Sequence, residues 1–178
     1  MTPLQPNIFL SLGSNIGDRY QSLLAAIRLL DEKGVKTHSF SSVYETQPWG
    51  FSTISLFLNM VIRVGTQLEP QKLLEKCMEI EEKIGRVRLT GGYRSRIIDI
   101  DILFYGEQIV NNPTLKIPHP LIQLRRFVLQ PMCEIAPDFQ HPQLKIEMVN
   151  LLAKCTDQLE VNVWKTRNEI NKTLGWHT

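Results

Sequence analysis

The sequence predicts an α+β fold of the ferredoxin-like βαββαβ kind, an antiparallel sheet with helices packed on it. Three observations lead there. Apolar runs of strand length and two longer stretches of helical periodicity follow one another as strand, helix, strand, strand, helix, strand. Gly, Pro and Asn fall at the joints between them. The chain of 178 residues is 43% hydrophobic and 21% charged, which suits a globular domain with a sizeable core.

Asn7 to Leu12 forms the first strand, closed by Gly13-Ser14-Asn15. Asp18 caps a helix whose Leu23, Leu24, Ile27 and Leu30 make one apolar stripe, and Gly34 ends it. The glycines fit neither a dinucleotide fingerprint nor a Walker A loop, because the spacing differs and no Gly-Lys-Ser/Thr follows. This turn reads as structural. Val35 to Tyr44 is the second strand, with Phe40 and Val43 buried. Thr46-Gln47-Pro48-Trp49-Gly50-Phe51 then breaks the pattern; rings on such a loop either dock a planar ligand or cover the core, and composition favours neither. The third strand, Leu56 to Val64, sets Asn59 among apolar neighbours, where its amide needs partners. Leu68-Glu69-Pro70 opens a second helix, with Leu73, Cys77, Ile80 and Ile84 as its buried stripe and Gly85 as its stop. Glu81 lies beside that stripe.

The fourth strand carries the candidate chemistry. Side chains alternate across a strand, so Ile98, Ile100, Ile102 and Phe104 share one face. Asp99 and Asp101 share the other, about 7 Å apart by strand rise. Two carboxylates on a mostly apolar strand need opposite charge nearby. Hard Mg²⁺ supplies it, taking one or two carboxylates and filling its other positions with water and phosphate oxygens. Taken alone, Asp-x-Asp is more often a solvated edge pair. Arg86, Arg88, Arg94 and Arg96, immediately upstream, change that balance: arginine forks match phosphate oxygens, and Gly91-Gly92 hinges the loop between them. Downstream, Ile117-Pro118-His119-Pro120 holds His119 in an extended segment, and Arg125-Arg126-Phe127 adds two cations and a ring. Residues 128 to 136 and 146 to 152 read as short helices. Leu159, Val161 and Val163 alternate as in a strand, and Lys165 to Thr178 is polar and weakly patterned.

A formal charge of +2 is too small for a general nucleic-acid binder. Cys77, Cys133 and Cys155, widely spaced, argue against a disulfide framework and for a reducing compartment. No run is long and apolar enough to span a membrane, and the N-terminus lacks a signal-peptide pattern, so a cytoplasmic location is expected. Paired carboxylates, an arginine loop and an aromatic loop are what transfer from a nucleoside triphosphate to a planar acceptor requires. Two metal ions clamp the attacking and leaving oxygens of such a displacement, and arginines neutralise the equatorial oxygens. Neither the bond broken nor the acceptor follows from this.

The sequence also resembles the 6-hydroxymethyl-7,8-dihydropterin pyrophosphokinase family of the folate pathway, over about residues 7 to 155. The matching stretches are Leu10-Ser11-Leu12-Gly13-Ser14-Asn15, the Tyr44/Thr46/Pro48/Gly50 loop, Phe57-Leu58-Asn59, and Glu81 with Gly85-Arg86-Val87-Arg88. Arg96-x-x-Asp99-x-Asp101-Ile102, Ile117-Pro118-His119 and Arg125-x-Phe127 follow in order. The resemblance implies transfer of the β,γ-diphosphate of ATP to the hydroxymethyl oxygen of the pterin, releasing AMP. It implies two Mg²⁺ on Asp99 and Asp101, with Arg86 and Arg96 as catalytic arginines and Arg88 in support. Glu81, Ile102 (through its backbone), His119 and Arg125 would bind ATP. Thr46, Trp49, Phe57, Asn59 and Phe127 would hold the pterin, although the family often carries Tyr where Phe57 stands. Leu89, Gly92, Tyr93 and Pro120 depart from familiar forms of the family pattern. Residues 1–158 would be the catalytic domain and 159–178 a C-terminal extension without an assigned role. The expected partners are ATP and the pterin, with no nucleic acid or membrane, in a monomer or weak homodimer. Two rivals remain at this level: a ferredoxin-like nucleotide- or RNA-binding module without catalysis, and a metal-dependent nucleotide hydrolase. No RNP-like aromatic strand supports the first, and the aromatic loop argues for an organic acceptor against the second.

Overall fold

The computed structural model describes residues 7–50, 55–86 and 95–176. Its strands are β1 Ile8–Ser14, β2 Lys36–Phe40, β3 Val43–Thr46, β4 Phe57–Gly65, β5 Asp99–Tyr105, β6 Val110–Asn111, β7 Lys116–Ile117 and β8 Val161–Lys165. The helices are α1 Arg19–Glu32, α2 Pro70–Ile84, α3 Arg126–Ile135, α4 Met148–Lys154 and α5 Arg167–Leu174. One antiparallel sheet runs β5-β1-β4-β3-β8, with β2 also on β4, and β6 and β7 form a separate ribbon. The ferredoxin-like α+β fold is as expected. Among the described residues no helix is long and apolar enough to cross a membrane.

Alternation sorts the sheet into two faces. Ile8, Leu10 and Leu12 of β1, Leu58, Met60, Ile62 and Val64 of β4, and Ile100 and Ile102 of β5 meet Leu23, Ile27 and Leu30 of α1 and Leu73, Cys77 and Ile80 of α2. On the opposite face Phe9, Val61, Leu103 and Phe104 pack on Val128, Leu129 and Met132 of α3 and Met148 and Leu151 of α4. This second helical layer covers only part of its face, and the part left open holds the site. Asp18 caps α1 as read, accepting the Gln21 amide at 3.1 Å. Gly85, at φ 114, ends α2 in the left-handed region that a side chain would disfavour.

Three expectations are corrected. The second strand is two, β2 and β3, broken at Ser41-Ser42. There the Ser41 hydroxyl accepts the Val61 amide at 3.0 Å and donates to the Ser42 carbonyl at 2.7 Å, so a side chain takes over part of the ladder. Phe104 does not share a face with Ile98, Ile100 and Ile102. Phe9 pairs with Phe104 but Leu10 with Ile102, which leaves Leu103 as an extra residue and turns Phe104 to the α3 side. There its ring meets Phe139 and Phe9 edge-on, with centroids 4.9 and 6.3 Å away. The polar stretch after Lys165 is the helix α5, begun by a capping box between Thr166 and Glu169. Residues 161–165 join β3 as a further strand, Ile170 is buried, and the Trp176 ring lies 5.3 Å from that of Phe40.

Candidate active site

On the open part of the sheet, Ser11 and Gly13 of β1, Phe57 and Asn59 of β4, and Asp99 and Asp101 of β5 line a cavity of about 420 Å³. Thr46, Trp49, Glu81, Arg86, Arg96, His119, Arg125 and Phe127 line it too. Twelve of the fourteen predicted site residues therefore surround one space. Ile102 is not among them: its side chain is in the core on the other face, so only its main chain remains for a ligand to meet. Arg88, with Leu89 to Arg94, lies outside the described residues.

At the acidic end, Asp99 accepts Arg86 on one carboxylate oxygen and Arg96 on the other. Arg86 Nη1 also stands 2.6 Å from Glu81 Oε1, the oxygen that accepts the Ile100 amide at 2.7 Å. Glu81 is only 2% exposed and ties the end of α2 to the start of β5. Burial, then the charges of Asp99 and Glu81, push the Asp101 carboxyl up to about 7. A carboxylate pair in that condition is a place for added positive charge. Among the described residues no group of three His, Cys, Asp or Glu side chains gathers. A cation here would take its other ligands from water and phosphate oxygens, as Mg²⁺ does. The donor set fits that ion.

The arginine-bearing segment is anchored at its return. Asn15 Oδ1 accepts the Arg96 amide at 2.7 Å, and Asn15 Nδ2 donates to Ser95 Oγ at 3.0 Å. His119 donates its amide to the Leu103 carbonyl at 2.9 Å, and its Nδ1 lies 2.8 Å from the Pro120 carbonyl. A carbonyl only accepts, so Nδ1 carries the hydrogen of the neutral ring. Burial, then Arg125, hold that imidazole below its ordinary range. Arg126, next to Arg125, is tied instead to Asp157, its Nε donating to the Asp157 carbonyl at 2.8 Å.

The amide of Asn59 finds the partner its apolar setting demands: Nδ2 donates to Thr46 Oγ1 at 2.6 Å. A Cβ at Gly13 would stand 2.9 Å from Asn59 Oδ1, so glycine lets the amide lie against β1. Phe57 lies beside it, and α3 brings Phe127 to the cavity. Sequence reading missed Leu74 and Met78, which line the cavity with Glu81. Their spacing along α2, i, i+4 and i+7, marks a second stripe beside the buried one.

Residues 9–137 match the family model described as 7,8-dihydro-6-hydroxymethylpterin-pyrophosphokinase. A 2-amino-4-hydroxy-6-hydroxymethyldihydropteridine pyrophosphokinase of Aquifex aeolicus is 42% identical over 136 residues, covering 76% of this chain and 83% of that protein. The Bacillus subtilis protein of the same name is 36% identical over 165 residues, 92% of this chain and 93% of its own length. The folic acid synthesis protein fol1 of Pneumocystis carinii is 39% identical over 150 residues, 84% of this chain but 20% of that longer protein. In fold, the chain is similar to an HPPK-DHPS solved in complex with substrates, with a TM-score of 0.68 at 16% identity over 86% of this chain and 43% of the other. A wild-type Plasmodium falciparum HPPK-DHPS gives 0.68 at 18% identity, over 86% and 45%. With the whole of the described site inside the matched residues, the chain belongs to the 7,8-dihydro-6-hydroxymethylpterin pyrophosphokinase family of diphosphate-transferring enzymes.

Proposed function

We propose that the chain transfers the β,γ-diphosphate of ATP to the hydroxymethyl oxygen of 6-hydroxymethyl-7,8-dihydropterin and releases AMP. The observation that carries this is one cavity lined both by an acidic pair with arginines and by an amide with aromatic rings. The hydroxymethyl oxygen attacks the β-phosphorus, the bond from that phosphorus to the α-bridging oxygen breaks, and the hydroxyl proton goes to solvent. Asp99 and Asp101 would hold Mg²⁺, two ions by family expectation. That metal, when bound, makes the hydroxyl more acidic and neutralises phosphate charge.

The chain's own groups do the rest. Arg86 and Arg96, engaged by Asp99 in this structure, turn to the triphosphate oxygens and stabilise charge on the leaving AMP. Arg125 and His119 hold phosphate from the opposite segment, Glu81 lines the nucleotide side, and the Ile102 main chain meets the adenine. Asn59 and the backbone of Thr46 and Trp49 read the pterin's polar edge, while Phe57 and Phe127 take its ring faces. Catalysis is assigned to residues 1–158, acting in the cytoplasm as a monomer or weak homodimer.

The test is to incubate the chain with ATP, Mg²⁺ and the reduced hydroxymethylpterin and to chromatograph the products. AMP and pterin diphosphate in equal amounts are expected. ADP, or nucleotide loss independent of pterin, would overturn the reading in favour of a kinase or hydrolase of another kind.

A further inference from the structure

Two residues given different ligands above touch each other. The Arg125 guanidinium carbon stands 4.7 Å from the centroid of the Trp49 ring, within the range of a cation–π contact. The Arg125 backbone is fixed where a 3-10 turn meets α3, its carbonyl accepting the Val128 and Leu129 amides at 3.1 and 3.0 Å. Beyond that backbone the side chain is long and rich in rotamers, yet a guanidinium that captures phosphate must be held in one geometry. A carboxylate could hold it only by neutralising it. An indole ring has few rotamers, offers its negative face, and adds no opposing formal charge of its own.

We propose that Trp49 is a positioning residue that acts through Arg125: its ring orients the guanidinium in the cavity, so the loop beside the pterin sets the affinity for nucleotide. This rests on the diphosphate-transfer reading. Binding of a non-hydrolysable ATP analogue with Mg²⁺ is measured by calorimetry for the full chain, Trp49→Leu, Trp49→Phe, Arg125→Ala and the Trp49→Leu/Arg125→Ala double variant. Trp49→Leu is expected to weaken the analogue about fivefold to thirtyfold and Trp49→Phe to restore it to within about threefold. In the Arg125→Ala background, Trp49→Leu should change nothing further. Equal weakening in both Arg125 backgrounds, or a Phe variant as weak as Leu, would overturn the inference. Failure of the unsubstituted chain to bind the analogue would overturn the diphosphate-transfer reading with it; binding without coupling to Arg125 would overturn this inference alone.

Discussion

Asp101 stands where a negative charge is least welcome. Its carboxyl is raised from an ordinary 3.8 to about 7 by burial first and by Asp99 next. Between those values the folded chain binds a proton that the unfolded chain has released, so stability is lost as pH rises through that window. Asp101→Asn removes the cost and, on the diphosphate-transfer reading, a metal ligand with it. The variant should melt higher than the parent near pH 8, by the equivalent of about 1–3 kcal/mol, approach it near pH 4, and lose most turnover. Melting scans at both pH values with product chromatography read all three; a lower melting temperature near pH 8 would remove the electrostatic argument. His119 sets a second expectation. Its Nδ1 hydrogen is given to Pro120, and burial and Arg125 keep the ring neutral, so Nε2 is a bare acceptor. A phosphate oxygen is an acceptor as well, so nucleotide binding should draw a proton onto Nε2. Calorimetry in buffers of different ionisation enthalpy should show net proton uptake in the parent and none in His119→Ala. Identical heats in every buffer would contradict this.

Among the elements, α3 and β3 are joined by one carboxylate. Glu134 accepts the Ser42 amide at 2.7 Å, the Ser42 hydroxyl at 2.9 Å and the Tyr44 hydroxyl at 2.8 Å. Burial first, and then this acceptor, push the Tyr44 phenol well above its ordinary range. Glu134→Ala leaves three donors without their acceptor and should cost about 2–4 kcal/mol in urea unfolding. A loss within the error of the extrapolation would mean that water replaces the carboxylate. Glu134 was not legible in the sequence, because its partners lie 90 and 92 residues away and nothing local marks it. What was legible had a short period: Asn59, Asp99 and Asp101 follow from alternation within single strands, and the α2 stripe from helical spacing. The break at Ser41-Ser42 and the extra residue at Leu103 depend on pairing between strands, which one strand's own pattern does not record. Leu74 and Met78 were legible in principle but hidden behind the stronger stripe beside them.

At the scale of the molecule, the C-terminal residues complete the sheet. β8 covers the edge of β3, and α5 adds Ile170 to the core beneath α1. The Lys165 ammonium lies 5.3 Å from the rings of both Tyr20 and Trp164, tying the last strand to α1. Ending the chain at residue 158 would bare the β3 edge and uncover Phe40. The shortened protein should melt lower and associate with rising concentration, as exposed strand edges do, while its turnover below the melting range is largely kept. Sedimentation across a concentration series checks the first point and product formation the second; unchanged melting would make residues 159–178 an ornament.

The slip at Leu103 gives β5 a grammar of its own. Before it, every second side chain, Asp99 and Asp101, faces the cavity. After it, Leu103 and Phe104 turn to one core and Tyr105 to the other, and nothing is left for solvent. Deleting Leu103 would put the strand back in step and leave Phe104 on the α3 side and Tyr105 on the α2 side, at the loss of one buried side chain. A single amino acid thus marks where the sheet stops being a floor for chemistry and becomes the inside of a protein.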